Sequence, residues 1–164
     1  MDYFQLFNLP KKIEINKKLL SKNFYKLQLI YHPDLFIHAS CSEKKNILKK
    51  SININKGYKI LRHFSTRAIY LLSLNGININ QKKISFNNHI FLSKYFSLYE
   101  ELDYVKNHDH NKEAYNSFNK KVQNQIQKYK DNIIIQLNNK NWIASEKIIL
   151  KLLFVLKIEK SLKK

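Results

Sequence analysis

Between Asn16 and His32 the apolar residues Leu20, Phe24, Leu27 and Tyr31 advance by four, three and four positions, the period of one face of an α-helix. Lys18, Lys22 and Lys26 repeat every four residues on a different face, which the pattern leaves in solvent. Asn16 is placed to accept a hydrogen bond from the first unpaired amides of this helix. Pro33 ends it near Tyr31 or His32, because the residue before a proline is pushed out of helical backbone. The next helix opens on Ser40 and Glu43, the spacing of a capping box, and carries Ile47, Ile54, Tyr58 and Leu61. The two helices are expected to run antiparallel around a short loop.

From Asn75 to Asn88 the chain turns polar, "NGININQKKISFNN", and contains Gly76, so a boundary belongs there. The spacing predicts a first domain over 1–76, a linker over 77–87 and a second domain over 88–164. The second domain holds three long helical patterns. Phe91, Tyr95, Leu98, Leu102 and Val105 advance by four and three, as an inward seam does. Tyr115, Phe118, Val122, Ile126, Tyr129, Ile133 and Leu137 form the second stripe, and Trp142, Ile148, Leu152, Val155 and Leu156 the third. Short polar links at 107–113 and 138–141 make neighbours antiparallel, which gives a three-helix bundle.

Composition supports an all-α fold. The chain has 164 residues, 44% of them hydrophobic, and only two glycines and two prolines, too few for a turn-dense β architecture. The net charge is +18, and among its cations only Arg62 and Arg67 are arginine. Lys, Asn and Ile crowd every segment, which reads as compositional drift rather than a nucleic-acid face, since such faces cluster their charge and read bases with Arg. A basic helical nucleic-acid binder stays as the alternative from another class. Cys41 is the single cysteine, so an internal disulfide and a CxxC site are excluded and a reducing compartment is expected. "MDYFQLFNLP" has an early acid and no basic n-region, unlike a signal or transit peptide. The longest apolar run, "IILKLLFVLKI", is interrupted by Lys151 and Lys157 and is too short to span a bilayer. The expectation is a soluble, cytoplasmic protein with no membrane contact. His108, Asp109 and His110 in "NHDHNK" read as a hydrophilic link rather than a metal site, because an HxH pair in a flexible link lacks supporting ligands.

His32, Pro33 and Asp34 then stand in a proline-stiffened loop between two helices. Such a loop serves as a plain turn, as half of a catalytic or metal site, or as a docking contact. One His and one Asp with no further ligand at a fitting spacing complete neither a triad nor a closed metal site. In the first bundle helix Leu92 and Phe96, with Glu100 next along the row, form a second apolar face beside the seam. That face either wraps against the third helix or forms a partner-binding patch.

"YHPD" after a basic amphipathic helix, with "INKGYKIL" at 54–61, resembles a J domain. "RHFSTRAIYLLSLNG" at 62–76 and the opening "MDYFQLFNLP" are similar to the HscB family of J-type co-chaperones of iron–sulfur cluster assembly, and the likeness runs along essentially the whole chain. The resemblance implies an N-terminal J domain, the antiparallel hairpin with its His-Pro-Asp loop, followed by the three-helix bundle. It implies a protein that performs no chemistry and needs no cofactor. His32, Pro33 and Asp34, with Lys22 and Lys26, would dock on a DnaK-type chaperone ATPase of the HscA kind and accelerate its hydrolysis. Leu92, Phe96, Glu100 and Phe154 match the positions that bind the cluster scaffold protein IscU. Ser93, Ser97 and Tyr104 depart from the bulkier or acidic residues expected along that face, and a J protein serving another client is the remaining reading. Phe64 stands where many relatives have proline, and Gly57 where alanine is usual; both are expected to weaken the fold, Gly57 by about 1 kcal/mol of helix stability.

Overall fold

The computed structural model describes residues 2–79, 89–107 and 111–163. Linker positions 80–87, the His108, Asp109 and His110 group and the side chains of His89 and Phe91 lie outside them. Every regular element among the described residues is helical. The chain divides into two compact units, Met1–Leu74 and Asn75–Lys164.

The first unit contains α1 (Tyr3–Leu6), α2 (Lys17–Tyr31), a 3-10 turn (Pro33–Phe36), α3 (Cys41–Arg62) and α4 (Phe64–Leu74). Asn16 accepts from the Leu19 amide at 3.0 Å, and α2 stops at Tyr31, where the proline rule places its end. At the start of α3 the Ser40 hydroxyl accepts from the Glu43 amide while the Glu43 carboxylate accepts from the Ser40 amide at 2.9 Å. The Ser40 hydroxyl and amide hold the Glu43 carboxyl below its ordinary range. Between the helices Phe24 stacks on Tyr58, with centroids 4.0 Å apart and planes 16° from parallel. Leu20, Ile54 and Leu61 complete the centre, closed by Phe4 and Phe7 from the amino terminus and by Ala68 and Leu72 from α4.

Gly57 corrects the expectation of a merely weakened helix. A Cβ built there would lie 2.6 Å from Tyr3 Cδ1 and 3.1 Å from Phe7 Cε2. Tyr3 is not able to retreat: its ring lies 4.9 Å from that of Tyr70, and its amide donates to the Tyr70 hydroxyl at 3.0 Å. Asp2 fixes α1 from the other end by accepting from the Gln5 amide. The glycine is the space into which the amino-terminal aromatics pack. Phe64, expected to weaken the unit, begins α4 and lies 5.8 Å from the Arg67 guanidinium, which rests over its ring.

Arg67 is the feature that hydrophobic periodicity does not reveal. It is only 4% exposed, and its guanidinium donates to the Ile13 carbonyl at 2.7 Å and the Leu61 carbonyl at 2.5 Å. It thereby joins the segment before α2, the last turn of α3 and α4. Burial pushes its pKa below the ordinary arginine value, and two carbonyl acceptors compensate for the lost water.

The second unit is built from α5 (His89–Asn107), α6 (Lys112–Asn138) and α7 (Trp142–Leu162). Helices α6 and α7 form a tight hairpin, and α5 packs against both. Phe118, Val122, Ile126, Ile133 and Leu137 of α6 face Ile149, Leu152, Val155 and Ile158 of α7, with Leu102 and Val105 added by α5. Within α7 the fully buried row runs through Ser145, Ile149 and Leu152 rather than through Ile148 and Leu156, which are half-buried. Ser145 fits because its hydroxyl donates to the Asn141 carbonyl at 2.8 Å, satisfying a polar group that would otherwise be left dry. Asn111 and Asn141 cap α6 and α7 by accepting from the Ala114 and Ala144 amides.

Two stability outcomes follow from the first unit. Gly57→Ala gains about 1 kcal/mol of helix preference but overpacks a pinned ring at about 1–3 kcal/mol, so its urea midpoint is expected to fall; a rise would show that the aromatic lid yields. Arg67→Met leaves two carbonyls without their donor and is expected to cost about 1–3 kcal/mol in the same measurement, whereas an unchanged midpoint would mean water replaces the guanidinium.

Candidate docking sites

The loop after α2 is built by backbone constraint. His32 has φ −68° and ψ 129°, the extended conformation that a following proline imposes, and Pro33 then opens the 3-10 turn with its own φ already suited. The Leu35 amide donates to the His32 carbonyl at 3.1 Å, and the Ala39 amide to the Phe36 carbonyl at 3.1 Å. His32 Nδ1 accepts from the Asp34 amide at 3.3 Å and lies 3.6 Å from the Asp34 carboxylate. The loop thus satisfies local backbone groups while presenting two side chains: that of His32 is 51% exposed and that of Asp34 82%. Lys22 and Lys26 are exposed on α2.

Such an arrangement is suited to contact, with two side chains open to water on a locally fixed backbone. Among the described residues no group of three or more His, Cys, Asp or Glu side chains is placed to hold a metal ion.

The second candidate site is more divided than its sequence pattern. Phe96 is 62% exposed, Glu100 is exposed and Leu92 half-buried, so the surplus row on α5 does reach solvent. Phe154 differs: at 9% exposure it belongs to the α5–α7 seam, its ring 4.7 Å from that of Tyr95 and 66° from parallel. Tyr95 also meets Tyr99 edge-on at 4.9 Å and stands 6.4 Å from Phe96. Burial, with the neighbouring Tyr99 hydroxyl, pushes the Tyr95 phenol well above its ordinary pKa, so it stays neutral. Lys157 lies 5.5 Å from the Phe154 ring. Of the four predicted residues, Leu92, Phe96 and Glu100 share one helix row, and Phe154 joins that helix through Tyr95. Tyr95 and Tyr99 were not singled out as site residues; the aromatic cluster "YFSLY" at 95–99 was the available signal. Ser93 and Ser97 are exposed, with the Ser97 hydroxyl donating to the Ser93 carbonyl at 3.1 Å.

An exposed His-Pro-Asp turn between antiparallel helices, the first of them lysine-bearing, defines a J protein, here joined to a separate helical unit. Comparison with known proteins identifies the kind. The HSCB C-terminal oligomerisation domain family matches residues 87–163. The co-chaperone protein HscB of Buchnera aphidicola subsp. Acyrthosiphon pisum (strain Tuc7) is 50% identical over 164 residues, covering 100% of this chain and 94% of that protein. Chaperone HscB from Vibrio cholerae superposes with a TM-score of 0.91 at 34% identity, over 99% of this chain and 96% of its own. Human co-chaperone HscB superposes with a TM-score of 0.93 at 25% identity, over 99% and 81%. The chain belongs to the HscB family, the J-type co-chaperones of iron–sulfur cluster assembly. That family comprises co-chaperones rather than enzymes, with chaperone and scaffold partners. Among the described residues no helix is long and apolar enough to cross a membrane.

Proposed function

We propose that this protein brings the scaffold protein IscU to a DnaK-type chaperone ATPase of the HscA kind and stimulates that ATPase, with no chemistry and no cofactor of its own. Lys22, Lys26, His32, Pro33 and Asp34 form the chaperone-docking surface in a J domain over 1–76. A linker over 77–87 leads to a scaffold-binding domain over 88–164, which engages the scaffold through Leu92, Phe96, Glu100 and Phe154. The cytoplasm is the compartment this reading assigns.

The observation that carries the proposal is the exposed, backbone-fixed turn: Asp34 is 82% exposed at its side chain, yet its own amide is tied to His32. A loop already held in one conformation loses little entropy on docking. Its carboxylate offers a charge-assisted contact to a cation on the partner. Acceleration of another protein's hydrolysis then follows from binding its hydrolysis-competent conformation better than the alternative. On α5 the exposed Phe96 beside Glu100 supplies an aromatic anchor next to a carboxylate. Phe154, held inward by Tyr95, contributes by shaping the base of that patch more than by projecting from it.

Steady-state ATP hydrolysis by the chaperone tests the reading, with this protein alone and with IscU. Stimulation is expected to rise further with scaffold. His32→Gln should reduce it at least about tenfold, and Phe96→Ala should remove most of the scaffold-dependent increment, a loss of about 1–2 kcal/mol of binding. Both side chains are exposed, so folding is not expected to change. A folded wild type that leaves the rate unchanged would reject the proposal.

A further inference from the structure

Helices α5 and α6 leave a groove of about 360 Å³ between them, a volume at the lower end of those that hold small-molecule ligands. Its interior is apolar. Tyr95 and Leu98 of α5 and Tyr129 of α6 form the walls, and Val155 of α7, only 2% exposed, forms the base. Leu98 follows Phe96 by two positions, a rotation of about 200° around a helix, so the groove and the Leu92, Phe96 and Glu100 row occupy different flanks of α5.

The remaining lining residues are Lys94, Ser97, Lys121 and Gln125, which give two cations and no Asp or Glu. Lys121 is engaged, because its ammonium meets the Glu101 carboxylate at 2.5 Å. That contact also fixes the register of the two antiparallel helices. Seven residues from it, about two turns, lie Lys94 on α5 and Lys128 on α6, both exposed. Neither forms an ion pair among the described residues. Two ammonium groups at one level repel each other, and an anion placed between them turns that repulsion into attraction. Gln125, half-buried in the lining, adds an amide donor. The Ser97 hydroxyl is turned away, donating to the Ser93 carbonyl at 3.1 Å.

These features select the occupant. An apolar interior offers no partner to an inorganic anion, and it releases water in favour of a hydrocarbon body. Cations confined to the rim suit one charged head group that remains partly in water.

We propose that the α5–α6 groove is a binding site for a free monocarboxylate with an apolar tail of medium length. The tail lies against Leu98, Tyr129 and Val155, and Lys94 and Lys128 hold the carboxylate. The inference stands apart from the docking reading above, since none of these residues belongs to either docking surface.

The test is titration of the isotope-labelled full chain with decanoate below its micelle range, followed by the amide resonances. Saturable shifts are expected at Ser97, Leu98, Gln125 and Val155, with little change along α2 and α3. Decanamide, which keeps the tail and loses the charge, is expected to bind at least about fivefold more weakly, and Lys94→Gln with Lys128→Gln should weaken decanoate by a similar factor. Both lysines are exposed, so the double variant should keep its fold, and an unchanged spectrum of the free variant checks this. Absence of saturation, or shifts centred away from the groove, would overturn the proposal. Equal binding of decanoate and decanamide, or of decanoate by wild type and variant, would overturn it equally, because the rim would then select nothing.

Discussion

The position of Pro33 decides how the first unit is organised. A proline denies its predecessor a helical backbone, so α2 must stop at Tyr31 and His32 must be extended. The same ring supplies the φ needed to begin the short turn over Pro33–Phe36. With α2 ended there and α3 started by the Ser40–Glu43 box, the intervening residues span a helical hairpin whose turn satisfies its backbone locally. The side chains of His32 and Asp34 are therefore displayed on a rigid backbone, to which the His32 ring itself adds by accepting from the Asp34 amide.

Displaying a rigid turn requires a hairpin that does not splay, and the first unit has few residues with which to prevent it. Its solution is uneven. Stacked Phe24 and Tyr58 join the helices near their middle, while Arg67 collects carbonyls from Ile13 and Leu61 at the far end. The amino-terminal aromatics close the remaining side by packing into the gap at Gly57. The second unit relies on a longer apolar seam between α6 and α7, and α5 is left with enough outward surface for Phe96 and Glu100 to stay exposed.

Helix ends and turns were the most legible part of the sequence, because Asn16, Pro33, Ser40 and Glu43 act through local backbone chemistry that needs no knowledge of the fold. Arg67 was hidden because its role depends on carbonyls 54 and six positions away, which no local spacing reports. Gly57 was misread for a related reason: helix propensity measures the residue in its own helix, whereas the deciding contact comes from Tyr3. On α5 the surplus row was visible, but the inward turn of Phe154 onto Tyr95 depends on how α7 meets α5.

In the proposed function one molecule joins two partners through two units in cis. Mixing two full-length variants in the ATPase assay with scaffold tests it most directly: His32→Gln retains the scaffold patch, and Phe96→Ala retains the turn. Bridging in cis predicts that the mixture shows no more scaffold-dependent stimulation than the sum of its components, because effective concentration is gained only within one chain. Restoration of the wild-type rate by the mixture would contradict the claim and show that the two surfaces act independently.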